Sequence, residues 1–215
     1  MAQIFVSHSQ KDKDLVSFFS SAFAGTNVRA IFEEFEKIIK DKDKVTSKHI
    51  IKDIESSKAV FVILSQNVQD IPHTRDWVIW ETGVAKNRDI WVFEPYSQFG
   101  KISIVIPYLR HYVIFNTSDD WLRYIRRIIE SYDDSHVLPT LLATGGIGAA
   151  LVEDKMGGAV LGALAGLAIS DKSKERPTGV GVICSNCLSS YNIHIPKNMN
   201  IFRCPVCNKY LKLDL

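Results

Sequence analysis

The chain predicts an α/β fold built on a doubly wound parallel sheet, and three observations carry that prediction. Apolar runs of strand length alternate with helix-periodic segments through the first 135 residues. The run at 58–65, Lys-Ala-Val-Phe-Val-Ile-Leu-Ser, is continuously apolar and β-branched, as suits a strand buried on both faces. The strands also end in short polar turns, Ser7-His8-Ser9 and Ser65-Gln66-Asn67, where sheets of this class carry their ligand-binding rim.

The first strand is expected over 4–6. A helix over 12–23 follows, with Leu15, Val16, Phe18, Phe19, Ala22 and Phe23 near helical spacing. Residues 27–32 read as the second strand, which runs into the acidic Glu33, Glu34 and Glu36 and a lysine-rich loop over 37–48. Ile50, Ile51 and Ile54 mark a second helix. After the central strand come a helix over 74–86, a fourth strand over 90–93, a fifth over 112–115 and a last helix over 119–132. Ser118 or Asp119 is placed to cap that helix, and Leu122, Ile125, Ile128 and Ile129 form its apolar stripe. Ligands bind beyond the carboxyl ends of such strands, so residues 7–9, Glu33, Glu34, 65–67 and 93–96 share one rim of a five-stranded sheet.

Composition narrows the function classes. With 46% hydrophobic and 23% charged residues the chain is not disordered, and 215 residues accommodate one full domain and a small module. A net charge of +2 forces no basic surface, so nucleic acid is not implied as a partner. Neither a phosphate-binding G-x-x-x-x-G-K, a G-x-G-x-x-G nor a G-x-S-x-G occurs. The first residues enter a strand with no basic and apolar leader, which makes a cytoplasmic location the expectation.

Beyond the α/β region of residues 1–135 the composition shifts. Residues 136–169 are rich in Gly and Ala, with Gly158, Gly162 and Gly166 spaced by four, a pattern that lets helices approach closely. A single span over 141–169 would bury Glu153, Asp154 and Lys155 in lipid, whereas two helices of about 12 and 14 residues reach only about 18 and 21 Å. A helical hairpin packing on itself or on other copies is favoured over membrane insertion. Residues 170–179 are polar and read as a linker. The last segment, 180–215, holds all four cysteines as Cys184-x-x-Cys187 and Cys204-x-x-Cys207, with sixteen residues between the pairs, and resembles a zinc ribbon. In a reducing compartment these read as ligands of a structural Zn2+ ahead of disulfides or a redox pair, since a module this small needs a staple.

One further constellation stands out. Trp77 and Glu81 lie four residues apart on the predicted helix and share a face, which can stack on a flat group and hold a sugar hydroxyl. The same spacing suits a buried aromatic helix, with Trp80 as packing. His8 between two serines serves either as a general base or as a turn residue.

Taken together, Ile4-Phe5-Val6-Ser7-His8-Ser9 with Asp12, Ile31-Phe32-Glu33-Glu34-Phe35, the central strand, and Asp76-Trp77 with Glu81 resemble the prokaryotic members of the TIR (Toll/interleukin receptor) domain family over residues 1–135. The resemblance implies a flavodoxin-like fold and cleavage of NAD+ at the nicotinamide–ribose bond, giving ADP-ribose or a cyclic isomer, in a defence or stress pathway. It implies Glu81 as the catalytic carboxylate, Trp77 as the aromatic of a W-x-x-x-E pattern, Ser7, His8 and Ser9 beside ribose and phosphates, Phe5 in the nicotinamide pocket and Glu33 in ligand contact. It also implies activation by head-to-tail assembly of copies; the close-packing chemistry of the Gly-rich helices then makes them, with the zinc module, the expected assembling or sensing apparatus. Two departures qualify it: the loop after the second strand lacks the family's Gly-x-Ser element, and Thr82-Gly83 follow the glutamate. A non-catalytic TIR adaptor and a nucleoside deoxyribosyltransferase-like enzyme are the competing readings.

Overall fold

The computed structural model describes residues 1–32, 47–133 and 176–213. Glu33 and the expected hairpin over 136–169 lie outside the described residues.

Ten elements make up the first part: β1 (Gln3–Ser7), α1 (Lys13–Phe23), β2 (Arg29–Phe32), α2 (Ser47–Ser56), β3 (Ala59–Ile63), α3 (Gln66–Asp70), α4 (Pro72–Val84), β4 (Asp89–Pro95), β5 (His111–Phe115) and α5 (Asp119–Glu130). Four strands follow in the cysteine-bearing segment: β6 (Val180–Ile183), β7 (Ser190–His194), β8 (Ile201–Arg203) and β9 (Tyr210–Lys212). The main sheet runs β2-β1-β3-β4-β5-β7-β6, while β8 and β9 pair separately. Neighbours from β2 to β7 are parallel and β6 is antiparallel to β7. The first five strands thus have the 2-1-3-4-5 order of a flavodoxin-like sheet, whose strand order reverses between β1 and β3.

The sheet has seven strands, not the five expected. The physical reason is the outer edge of β5, which would otherwise present unpaired backbone donors and acceptors. β7 covers it in the register His111↔Asn192, Tyr112↔Ile193 and Val113↔His194, and Asn192 N donates to Arg110 O at 2.9 Å.

Alternation along the strands sorts two apolar layers. Ile4, Val6, Phe61, Phe93 and Phe115 meet Phe19, Ala22 and Phe23 of α1 and Ile125, Ile128 and Ile129 of α5. On the opposite face Phe5, Val60, Val62 and Val92 meet Ile50 and Ile54 of α2 and Val78 of α4. Only one 3-10 turn, Tyr96–Gln98, interrupts the β4–β5 connection. No crossover helix covers the second face there. Instead Ile102, Ile104, Ile106 and Leu109 of the connection pack with Val182, Tyr191, Ile193, Phe202 and Leu211. The cysteine module therefore takes the place of a crossover helix and shares the core of the sheet, a placement held by Ile106 N to Pro205 O at 3.2 Å and Asn208 Nδ2 to Ser103 O at 2.8 Å.

Helix ends follow local chemistry. Ser65, at a segment expected to be a plain turn, caps α3 by accepting from Val68 N at 3.2 Å. Ser118 stands at the N-cap of α5 without a side-chain bond, and Asp119 and Asp120 in the first turn complement the helix dipole. Among the described residues no helix is long and apolar enough to cross a membrane.

Candidate functional site

Two polar constellations sit at the carboxyl ends of β1 and β3, where the strand order reverses. The first joins Ser7 to Glu81. Period-two alternation puts Ser7 on the same face as Phe5, towards α4, and the Ser7 hydroxyl donates to the Glu81 carboxylate. Both groups are buried, each with 2% of its surface exposed. The second joins Asp12, Ser65 and Asn67. Asp12 stands at the N-cap of α1 but makes no capping bond. Its carboxylate instead accepts from the Ser65 hydroxyl and, at 2.6 Å, from Asn67 Nδ2, which ties the β1–α1 turn to the start of α3.

The other expected site residues are placed as follows. Ser9 is buried, its Oγ accepts from Lys11 N at 3.3 Å, and its carbonyl accepts from Asp12 N at 3.0 Å, so it shapes the turn. His8 is half-buried, with Nδ1 at 3.1 Å from the Val6 carbonyl. Because a carbonyl only accepts, that nitrogen carries a proton. Its ring meets Phe32 edge-on at 5.8 Å. The family resemblance implies Phe5 in a nicotinamide pocket. Phe5 lies in an interior strand, 0% exposed, because its apolar ring faces the α2–α4 layer, and it offers a ligand no surface. Trp77 is half-buried and packs on Trp80 with ring centroids 4.7 Å apart, so both indoles belong to one aromatic surface against the core.

Glu94 falls within the rim segment 93–96 expected from sequence but was given no role there. It lies at the carboxyl end of β4, 3% exposed, accepting from the Tyr112 hydroxyl, with Oε1 lacking a hydrogen-bond partner among the described residues. Burial pushes its carboxyl up to about 7, against the opposing pull of Tyr112 and Arg203. The available signal was a lone carboxylate closing the apolar run Ile90-Trp91-Val92-Phe93 on the expected rim.

The cysteine cluster has a geometry that could hold a metal ion. The sulfurs of Cys184, Cys187, Cys204 and Cys207 all lie within 4.8 Å of one another, and none is in a disulfide. Cys184 and Cys207 are 3.6 Å apart, Cys187 and Cys204 3.8 Å. A tetrahedral zinc with metal–sulfur distances of about 2.3 Å has sulfur–sulfur edges of about 3.8 Å, so the donor set fits zinc. Two equivalent knuckles deliver it. Leu188 N donates to Cys184 O and Asn208 N to Cys204 O, both at 2.8 Å, with Leu188 and Asn208 at φ 60° and 62°. Four sulfur ligands fill a tetrahedron, so a metal held there would be structural rather than catalytic.

The fold and sites thus define an α/β protein with a mostly parallel seven-stranded sheet and a four-cysteine cluster able to hold a metal such as zinc. No family model and no curated protein matches the chain. Among solved structures it is similar to a 2-desoxiribosyltransferase from Leishmania mexicana, at 15% identity and a TM-score of 0.30, over 44% of this chain and 65% of that one. A likeness at that level decides neither fold nor activity.

Proposed function

We propose that the protein breaks the N-glycosidic bond between a base and a ribose, with Glu81 as the carboxylate facing the reacting sugar and NAD+ as the first substrate. The observation that carries this is the Ser7–Glu81 hydrogen bond at the strand reversal, where sheets of this order bind ligands. The TIR resemblance of the surrounding residues supplies the substrate. Nicotinamide in NAD+ is cationic, so the bonding pair leaves with it and no general acid is needed. Positive charge then develops on the ribose as an oxocarbenium ion, as in glycoside hydrolysis. A buried carboxylate held in place by Ser7 stabilises that charge more strongly than one in water. A carboxylate accepts hydrogen bonds on both oxygens, and ribose hydroxyls are natural donors to it. Addition of water at the ribose carbon, with loss of a proton, completes hydrolysis.

A second reading, transfer or hydrolysis of a neutral deoxynucleoside, is favoured by Glu94. A neutral base leaves as an anion unless it is protonated, and a rim carboxyl held to about 7 keeps a proton to give near neutrality. Incubation of the purified protein with NAD+ and, separately, with deoxynucleosides, followed by chromatography of the released base, separates the two. Nicotinamide release that Glu81→Ala abolishes supports the first reading, and base release from deoxynucleosides alone supports the second. Release from neither substrate refutes an N-glycosidic activity and leaves a non-catalytic adaptor.

A further inference from the structure

The whole-chain charge of +2 conceals a local asymmetry. The cysteine segment, residues 180–215, contains Lys197, Arg203, Lys209 and Lys212 against a single acidic residue, Asp214. A zinc ion on four thiolates would contribute about −2 at the buried cluster, leaving the segment only about +1 in total, so the positive character lies in its surface lysines. Lys197, Lys209 and Lys212 are exposed.

These cations border an aromatic face. In the β8–β9 pair Phe202 and Leu211 point into the core, so alternation sends Ile201, Arg203, Tyr210 and Lys212 to the other side, in the register Ile201↔Lys212 and Arg203↔Tyr210. Ile201 is 49% and Tyr210 64% exposed. The face adjoins an open groove of about 400 Å³ lined by Tyr96, Phe99, Asn198, Met199, Asn200 and Ile201. A Cβ built on Gly100 would stand 3.8 Å from Tyr210 Oη, so this ring reaches the loop that carries Phe99. Tyr96 on the facing wall is 50% exposed.

We propose that this groove and hairpin face bind single-stranded nucleic acid. Bases stack on Tyr96 and Tyr210, the amides of Asn198 and Asn200 meet base edges, and Lys197 and Lys209 meet phosphates. Open aromatic rings select unpaired bases, because a duplex keeps its base faces stacked on one another and offers this surface only phosphate. The exposed Lys197, Lys209 and Lys212 fit a polyanion. The site is formed by the β4–β5 connection and the cysteine module together and does not depend on the chemistry at Glu81.

Fluorescence anisotropy with labelled twelve-residue oligo(dT) and oligo(U) tests the proposal on the full chain. Binding at 50 mM salt should weaken roughly 15- to 20-fold at 200 mM if about three phosphates are neutralised. Tyr210→Ala and Tyr96→Ala should each weaken binding about tenfold, and the Lys197→Gln, Lys209→Gln double variant should flatten the salt dependence. Tyr108→Ala, 60% exposed but outside the groove, should bind like the parent. All these positions are at the surface, so the variants fold. The proposal is overturned by no binding of either oligomer at 50 mM salt, by equal affinity for a duplex of the same length, by tyrosine variants that bind as the parent does, or by polyglutamate displacing the oligomer as well as unlabelled oligomer.

Discussion

Ser7 and Glu81, 74 residues apart in the chain, are joined by a buried hydrogen bond that spans β1 and α4. A hydrogen bond to a charged group is worth about 1.5–3 kcal/mol, so Ser7→Ala should lower kcat/KM for base release roughly 10- to 100-fold while the carboxylate remains. Glu81→Gln, which keeps size and removes charge, should abolish release. Thermal unfolding of both variants, measured alongside, separates lost chemistry from lost fold. Ser7→Ala with full activity would detach this bond from catalysis.

The sheet was legible in sequence because buried parallel strands read as continuous apolar runs, and the fully buried β3 occupies the interior position its composition demands. The rim was legible too, since Ser7 and Ser65 end their strands in polar turns. What escaped depends on edges and tertiary partners. Cysteine spacing points to a module able to hold a metal but not to the β5 edge that needs covering, so the parallel pairing of β7 with β5 had no local signal. Asp12 looks like a helix cap, and its use as a brace for Ser65 and Asn67 exists only once β1 and β3 lie side by side. Helical spacing put Trp77 and Glu81 on one face, but not the bond to Ser7.

Metal content is the most direct check on the cysteine site. The purified chain should carry about one zinc per molecule by elemental analysis, and Cys204→Ser should lose it. Because Cys184 and Cys204 are fully buried beside Val182, Tyr191 and Phe202, stripping the metal should loosen the module that covers the β4–β5 connection. The expected result is a lower Tm with a changed near-ultraviolet spectrum. Tightly folded protein without any bound metal would contradict the tetrahedral geometry.

Glu94 makes stability depend on pH in a defined direction. Its carboxyl is held near 7 when folded, against an ordinary 4.5, so between these values the native chain keeps a proton that the unfolded chain has released. Its contribution is complete below about pH 4.5, falls as pH rises to about 7 and is level above, with a total of about 3 kcal/mol. Glu94→Gln should therefore gain stability over the parent at pH 8 and match it near pH 4.5, by urea unfolding at each pH. An unchanged difference across the range would contradict a buried, protonated Glu94.

The opposite slope comes from the far end of β5. His111 Nδ1 and His194 Nε2 are 3.2 Å apart across the β5–β7 seam, and His111 stacks on Trp91 at 3.6 Å. Burial lowers His111 to about 4, with Asp89 pulling upwards and Arg176 and Arg110 reinforcing burial; burial and then the His111 charge lower His194 to about 3. Below about pH 6.5 the unfolded chain binds protons that the native pair rejects, so stability present above 6.5 is lost as pH falls towards 4. At pH 5 the loss is about 2 kcal/mol for each ring. Glu94 and the histidines thus act in overlapping windows with opposite signs, and the parent should show only a shallow net slope between pH 5 and 7. Glu94→Gln should unmask the histidines and make the protein steeply acid-labile. His111→Gln, which keeps a hydrogen-bonding group beside His194, should remove about half of that acid loss. Urea midpoints at pH 5, 6 and 7 for the parent and both variants decide it, because parallel curves for all three would exclude both buried groups as the source of the pH dependence.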